Sequence, residues 1–181
     1  FSAPPRAPAS LASSAATGFA LTGLCIAADR NWISRKQALD RARATLKFYA
    51  EASPHKEGWF YHFVDQANGK RHRNSEISSI DTALLLGGVL TAKQCFRKDK
   101  DIVRLADAIY DRIDFPWMLN GDKSLLSHGW RDESGFIVNR WGRFSEHQIL
   151  YILAIASRTK PIPAEAWHAW ERNPADYGKY K

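Results

Sequence analysis

Apolar and polar positions follow two different rhythms along this chain. In SSAATGFALTGLCIAADR, residues 13–30, small and apolar residues run almost unbroken behind a Ser cap, the pattern of a buried helix. In ISRKQALDRARATLKFYAEA, directly after it, Ala38, Ala42, Leu46 and Tyr49 fall on one stripe. Ser34 and Gln37 are spaced as a capping box, so a second, amphipathic helix is predicted over 34–51. The same pair recurs twice. An apolar helix at 78–96 precedes an amphipathic one at 100–113, which carries Ile102, Leu105, Ile109 and Ile113 on one side. An apolar helix at 144–157 precedes a last one at 163–171, with Pro163 near its first turn. Two stretches break the rhythm. GWFYHFVDQANGKRHR, 58–73, alternates aromatics and then reaches Asn68-Gly69, which predicts a surface hairpin. Residues 114–142, rich in aromatics and glycine, read as a long loop of the kind that carries function.

Apolar helices suit an inner layer and amphipathic ones an outer layer. Six helices paired in this way make half of a double-layered α/α barrel, and no internal repeat of solenoid length supports a superhelix instead. The expected organisation is a loop or linker at 1–11 and one partial all-α domain at 12–181. The chain opens on Phe1, and FSAPPRAPAS reads as loop and not as a signal peptide. It is therefore expected to be a piece of a longer protein, with the second half of the barrel absent.

Composition narrows the function classes. The content is globular, and seven tryptophans are many for 181 residues; their rings serve wet apolar clefts, including those that hold sugars, as well as cores. The net charge of +7 raises a nucleic-acid reading, but the basic residues are scattered and only Lys70–Arg73 cluster. No nucleic-acid partner is expected. No apolar run is long enough to span a membrane. Cys25 and Cys95 form no CxxC pair and read as free thiols, and the histidines show no metal-site spacing, so neither cofactor nor metal is expected.

Two of the three apolar helices carry a carboxylate early on the apolar side. Asp81 has Leu84, Leu85 and Gly88 as its helical neighbours; Glu146 has Ile149, Leu150 and Leu153. Helix N-termini favour acids through the macrodipole and unpaired N–H groups, which accounts for the acids being early but not for both facing inward. Burying an ionised carboxylate costs several kcal/mol unless it is paired. The repeated placement predicts a cavity lined by the inner helices. Carboxylates on an aromatic-rimmed cavity are what glycoside hydrolysis requires: an acid for the leaving oxygen and a carboxylate that activates water or attacks. Glu76 lies beside the first of them. Trp141, Trp130, Tyr61 and His62 are the candidate sugar contacts.

These segments also resemble a known family. SAATGFALTGL, GWFYHFVD, SEISSIDTALLLGGVLTAKQCF, IYDRIDFPWM and FSEHQILYILAIASRTKPI occur in family-like order, and E-x-S-S-I-D-T-A-L-L is the most specific part. They resemble the glycoamylase-like family, related to bacterial β-1,2-glucanases and to a domain of cyclic β-1,2-glucan synthases. The resemblance runs from about residue 12 onward. It implies an (α/α)6 toroid and action on glucan, foremost β-1,2-linked glucan, at the ends of the inner helices. Asp81 and Glu146 would lie across the cleft, with Glu76 in the same motif. It also implies a periplasmic or extracellular location. The family's S-P-T-H-P-I reads Ser157-Arg158-Thr159-Lys160-Pro161-Ile162, so a common His is a Lys here. The rival expectations are transglycosylation on the same glucan, or a non-catalytic carbohydrate-binding or helical interaction module.

Overall fold

The computed structural model describes residues 11–173. Most of the 1–11 linker and everything beyond 173 lie outside the described residues. Leu11 itself opens a short strand, β1 (Leu11–Ser13), which leads into helix α1 (Ser14–Asp29). Ser13 caps α1 with its side chain, and Ser34 and Gln37 make the full capping box of α2 (Arg35–Glu51). Ala38, Ala42, Leu46 and Tyr49 are all buried, as their single stripe requires. Two small strands follow, β2 (His55–Lys56) and β3 (Trp59–Phe60), joined through Glu57 and Gly58. Both joining residues have positive φ, 51° and 89°, the geometry of a type I′ hairpin.

Strand β4 (Phe63–Asp65) pairs back onto β1, and Val64 bridges Arg71 around Asn68-Gly69. The expected hairpin is therefore present, but its first strand belongs to a two-stranded sheet with the start of the described chain. Strand β5 (Ile77–Ser78) then feeds helix α3 (Ser79–Cys95), and α4 (Lys100–Asp111) follows behind an Asp99 cap.

The stretch expected as one long loop is more ordered than that. It holds a short helix, α5 (Phe115–Leu119), with Asp114 as cap, Pro116 in its first turn and Asn120 left-handed at its end. It also holds a hairpin, β6 (Gly129–Arg131) and β7 (Gly135–Phe136), and β6 pairs with β5. Two- and three-residue strands are too short for a period of two to register, which is why the sequence hides them.

Helix α6 spans Gln148–Ile155, shorter at both ends than the predicted 144–157. Its predicted first turn, residues 144–147, is a bend followed by a turn instead. Trp141 N donates to Leu126 O, Phe144 N to Glu171 O, and Glu171 N to Gly142 O. Those bonds tie residues 141–144 across the chain to Leu126 and Glu171, and the helix begins only after the turn at 146–147. The last predicted helix is only a 3₁₀ turn, Ala164–His168. Beyond it Trp170 tucks under Phe144, His147 and Tyr151, which turns the chain away from a helical path.

The layers match the two rhythms. Helices α1, α3 and α6 stand side by side with α3 in the middle, while α2 and α4 pack together outside them. Between α1 and α3 the backbones nearly touch. A Cβ on Gly88 would sit 2.0 Å from Gly18 O, and one on Gly18 would sit 2.2 Å from Leu84 O. Glycine is required at both positions because backbone lies where a side chain would go. Cys25 is buried and free, and desolvation with Cys95 alongside pushes its thiol up to about 12. Trp59 and Trp170 are core residues, Trp117, Trp130, Trp141 and Trp167 are half-buried, and Trp32 is exposed.

Candidate active site

The inner helices open on one face through their N-terminal ends. Ser14 N, at the start of α1, donates to His62 O at 3.0 Å, and His62 in turn reaches the first turn of α3. On the other side of α3, Ser79 Oγ accepts from Trp141 Nε1 at 2.9 Å, which draws in the segment leading to α6. Asp81, His62, Glu76 and Trp141 are thus collected around the start of α3 by hydrogen bonds between distant segments.

Asp81 does not cap α3. That work belongs to Ser78, whose side chain accepts from Asp81 N and donates to Asp81 Oδ2. The other carboxylate oxygen, Oδ1, lies 3.3 Å from His62 Nε2. His62 Nδ1 lies 3.1 Å from Glu76 Oε1, so one imidazole stands between two carboxylates. The ring is stacked on Phe63 with centroids 3.7 Å apart, and the backbone N–H of His62 donates to Glu76 O. With both ring nitrogens on carboxylates, His62 has none left for a sugar hydroxyl.

Glu146 stands elsewhere. It is exposed and precedes α6, whose N-cap position is His147, and it does not lie in the helix's first turn facing the core. The inward-facing placement expected for it is therefore corrected, for the backbone reason given above. Its charge still reaches the site, acting on His128, whose pKa burial lowers and Glu146 opposes. His128 is stacked on Trp141 at 3.9 Å. Beside them, Leu125, Arg140, Trp141, Arg143, Phe144 and Ser145 help to line a cavity of about 560 Å³.

Trp130 and Tyr61 are placed less freely. Trp130 packs near Trp117 with Lys56 over its ring, and Tyr61 OH donates to the Asp132 carboxylate at 2.8 Å. Arg71 holds Glu133 through two bonds and lies over the Tyr61 ring, while His72 pairs with Asp65. Two members of the basic cluster at 70–73 are thereby engaged by acidic side chains within the fold. Lys160, standing where the family has His, pairs with Asp114 at 2.7 Å. Among the described residues no group of three His, Cys, Asp or Glu side chains could hold a metal ion, and no helix is long and apolar enough to cross a membrane.

Sequence reasoning did not single out His147, which anchors this face. It is fully buried among Trp141, Tyr151 and Trp170, with Nδ1 2.9 Å from Ser145 Oγ and Nε2 without a hydrogen-bond partner. Burial pushes its pKa down to about 4, and His128 and Arg172 add to the effect. The ring is neutral when folded, whereas the unfolded chain takes up the proton near pH 6.5. Stability is therefore complete above about pH 6.5 and declines as pH falls toward 4, by on the order of 2–3 kcal/mol. Urea midpoints at pH 7.5 and pH 4.5 should show this loss, and His147→Gln should flatten it.

Comparison with known proteins bears on what this face belongs to. Residues 139–181 match the glycoamylase family model, described as "Putative glucoamylase". An endo-β-1,2-glucanase from Chitinophaga pinensis, solved with sophorotriose and glucose, superposes with a TM-score of 0.77. It is 26% identical, over 99% of this chain and 44% of its own. The chain is similar to the glycoamylase-like proteins. A β-1,2-glucanase from Parabacteroides distasonis shares the fold, with a TM-score of 0.80 and 21% identity over 93% of this chain and 27% of its own. An exo-β-1,2-glucooligosaccharide sophorohydrolase of that organism is 23% identical over 91% of this chain and 24% of its own length. This chain therefore spans between about a quarter and under a half of these relatives. The glycoamylase-like architecture is an (α/α)6 toroid, and the inner helices α1, α3 and α6 with their outer partners are part of one such ring.

Proposed function

We propose that this protein acts on glucan as a glycoside hydrolase, with β-1,2-linked glucan as its substrate and Asp81, Glu146 and Glu76 as its acid/base carboxylates. One observation carries the reading: a helix N-terminus already capped by Ser78 still presents Asp81, tied through His62 to Glu76, while Trp141 is held to Ser79 on the other side of the same helix start. The macrodipole accounts for an acid in the first turn of α3, but not for its tie through His62 to Glu76. The names of the relatives, an endo-glucanase and a sophorohydrolase on β-1,2-glucan, support the linkage. The chemistry asks for one carboxyl group to protonate the leaving oxygen and one to activate water or attack the anomeric carbon. Trp141 and the cavity at Arg140–Ser145 would receive the sugar face beside Glu146.

The site is completed by the remainder of the ring. Phe19 and Ile26 on α1 are 65% and 49% exposed, and Ile152 on α6 is 55% exposed, although both helices belong to the inner layer. These outward apolar positions are the open edges of a half-ring, and a covering second half would supply the facing wall of the cleft.

The test is a reducing-end assay on the full-length protein with linear β-1,2-, β-1,3-, β-1,4- and α-1,4-glucans. New ends from β-1,2-glucan alone are expected. Redistributed chain lengths without new ends would assign transglycosylation instead, and no change in any glucan would overturn the enzymatic reading.

A further inference from the structure

We infer that His62 is the positioning residue of this site, fixing the Asp81 carboxylate through one ring nitrogen and coupling it to Glu76 through the other. The inference rests on the reading of Asp81 as a cleft carboxylate. Five contacts hold His62, three at the imidazole and two at its backbone. Nε2 faces Asp81 Oδ1 at 3.3 Å and Nδ1 faces Glu76 Oε1 at 3.1 Å. Its backbone N–H donates to Glu76 O at 2.8 Å, and its carbonyl accepts from Ser14 N at 3.0 Å. Phe63 stacks on the ring at 3.7 Å, with planes 22° apart, which fixes the angle at which both nitrogens point.

Asp81 thereby has a partner at each oxygen, the Ser78 hydroxyl bonded to Oδ2 and the imidazole within ion-pair distance of Oδ1. A carboxylate restrained at each oxygen keeps its plane, and a fixed plane is what lets an acid/base group meet one bond of a bound sugar. The coupling follows from the inventory of donors. A neutral imidazole owns one N–H and can serve one carboxylate at a time; a protonated one owns two and serves both. Which carboxylate receives the single N–H is thus decided by the proton held on the other. A change of protonation at Asp81 is passed to Glu76 through the ring, without either carboxylate moving.

The arrangement is not a buried strut. The His62, Glu76 and Asp81 side chains keep 29%, 24% and 14% of their surface, so the relay sits at the rim where solvent and substrate arrive. Loop 61–76 carries both His62 and Glu76 and is pinned to the start of α1 and of α3 at this one ring.

The experiment has two arms. In the full-length protein on β-1,2-glucan, His62→Gln and His62→Ala should lower kcat about 100-fold while KM stays within about threefold, because the ring acts through Asp81. A raised KM with unchanged kcat would mean that His62 touches the sugar, and the inference falls. Unchanged kcat with a lowered melting temperature would make it a strut, with the same result. The second arm needs no activity. The ¹⁵N resonances of the His62 ring should move in Asp81→Asn at Nε2 and in Glu76→Gln at Nδ1, and each substitution should also shift the opposite nitrogen. Shifts confined to the adjacent nitrogen would refute the coupling. An inert wild type with the cross-ring shifts present would sink the glucan reading and leave the relay standing.

Discussion

An alanine at Gly18 is expected to destabilise the chain by about 3 kcal/mol, whereas one at Gly23, on the same helix, is expected to stabilise it by about 1 kcal/mol. Propensity alone gives both substitutions the same favourable sign, since glycine is a poor helix former. Packing reverses it at one of them. A Cβ at Gly18 would lie 2.2 Å from Leu84 O and 2.7 Å from Leu85 Cα, both backbone atoms of α3. No rotamer relieves that contact, so the two inner helices must separate along Leu21, Cys25 and Ala28 as well. Gly88→Ala should behave like Gly18→Ala, because its Cβ meets Gly18 O at 2.0 Å. At Gly23 nothing lies within 4 Å. That position is on the exposed face of α1 with Phe19 and Ile26, so its sign also reports on the ring. In the 181-residue chain Gly23→Ala should raise the urea midpoint; in a full-length protein whose second half covers α1, the gain should shrink or reverse. Equal midpoints for Gly18→Ala and Gly23→Ala would show that α1 and α3 do not approach as described.

The larger functional effect is expected at Asp81 and Glu146. Asp81→Asn should lower activity on β-1,2-glucan about 1,000-fold, and Glu146→Gln by a similar factor, within the range that acid/base groups contribute. Stability should barely respond. Ser78 already supplies the cap of α3, so Asp81→Asn should change stability by less than about 1 kcal/mol, whereas Ser78→Ala should cost about that much. Glu146 is exposed and lies outside α6, so Glu146→Gln should stay within about 0.5 kcal/mol. The two readouts separate the possibilities cleanly. Activity that survives either substitution would remove that carboxylate from the site. A stability loss at Asp81 as large as that at Ser78 would make it part of the cap after all.

Much of this arrangement is legible in the sequence because it is local. Caps depend on residues three apart, so Ser34 with Gln37, and the Ser ahead of the first apolar run, mark helix starts that the structure keeps. Burial of one face leaves a period, so Ala38, Ala42, Leu46 and Tyr49 identify an outer helix, and the unbroken apolar runs identify inner ones. From that alternation alone the two-layered architecture follows, as does the conclusion that a carboxylate in the first turn of α3 wants an explanation.

What only the tertiary structure decided are the features made by segments far apart in the chain. Cross-chain backbone bonds from 141–144 to Leu126 and Glu171 moved Glu146 out of the helix that its spacing predicts. Strand β5 exists because β6, some fifty residues later, pairs with it. His62 reads as a candidate sugar contact beside a hairpin, and its two carboxylate partners follow from the packing of residues 61–76 against the starts of α1 and α3. His147 reads as a polar residue at a helix mouth, yet Trp141, Tyr151 and Trp170 enclose it completely. The sequence determined which faces must be buried, since hydrophobic burial acts on each helix separately; which side chains meet at the mouth of the ring was decided by long-range pairing, which leaves no period along the chain.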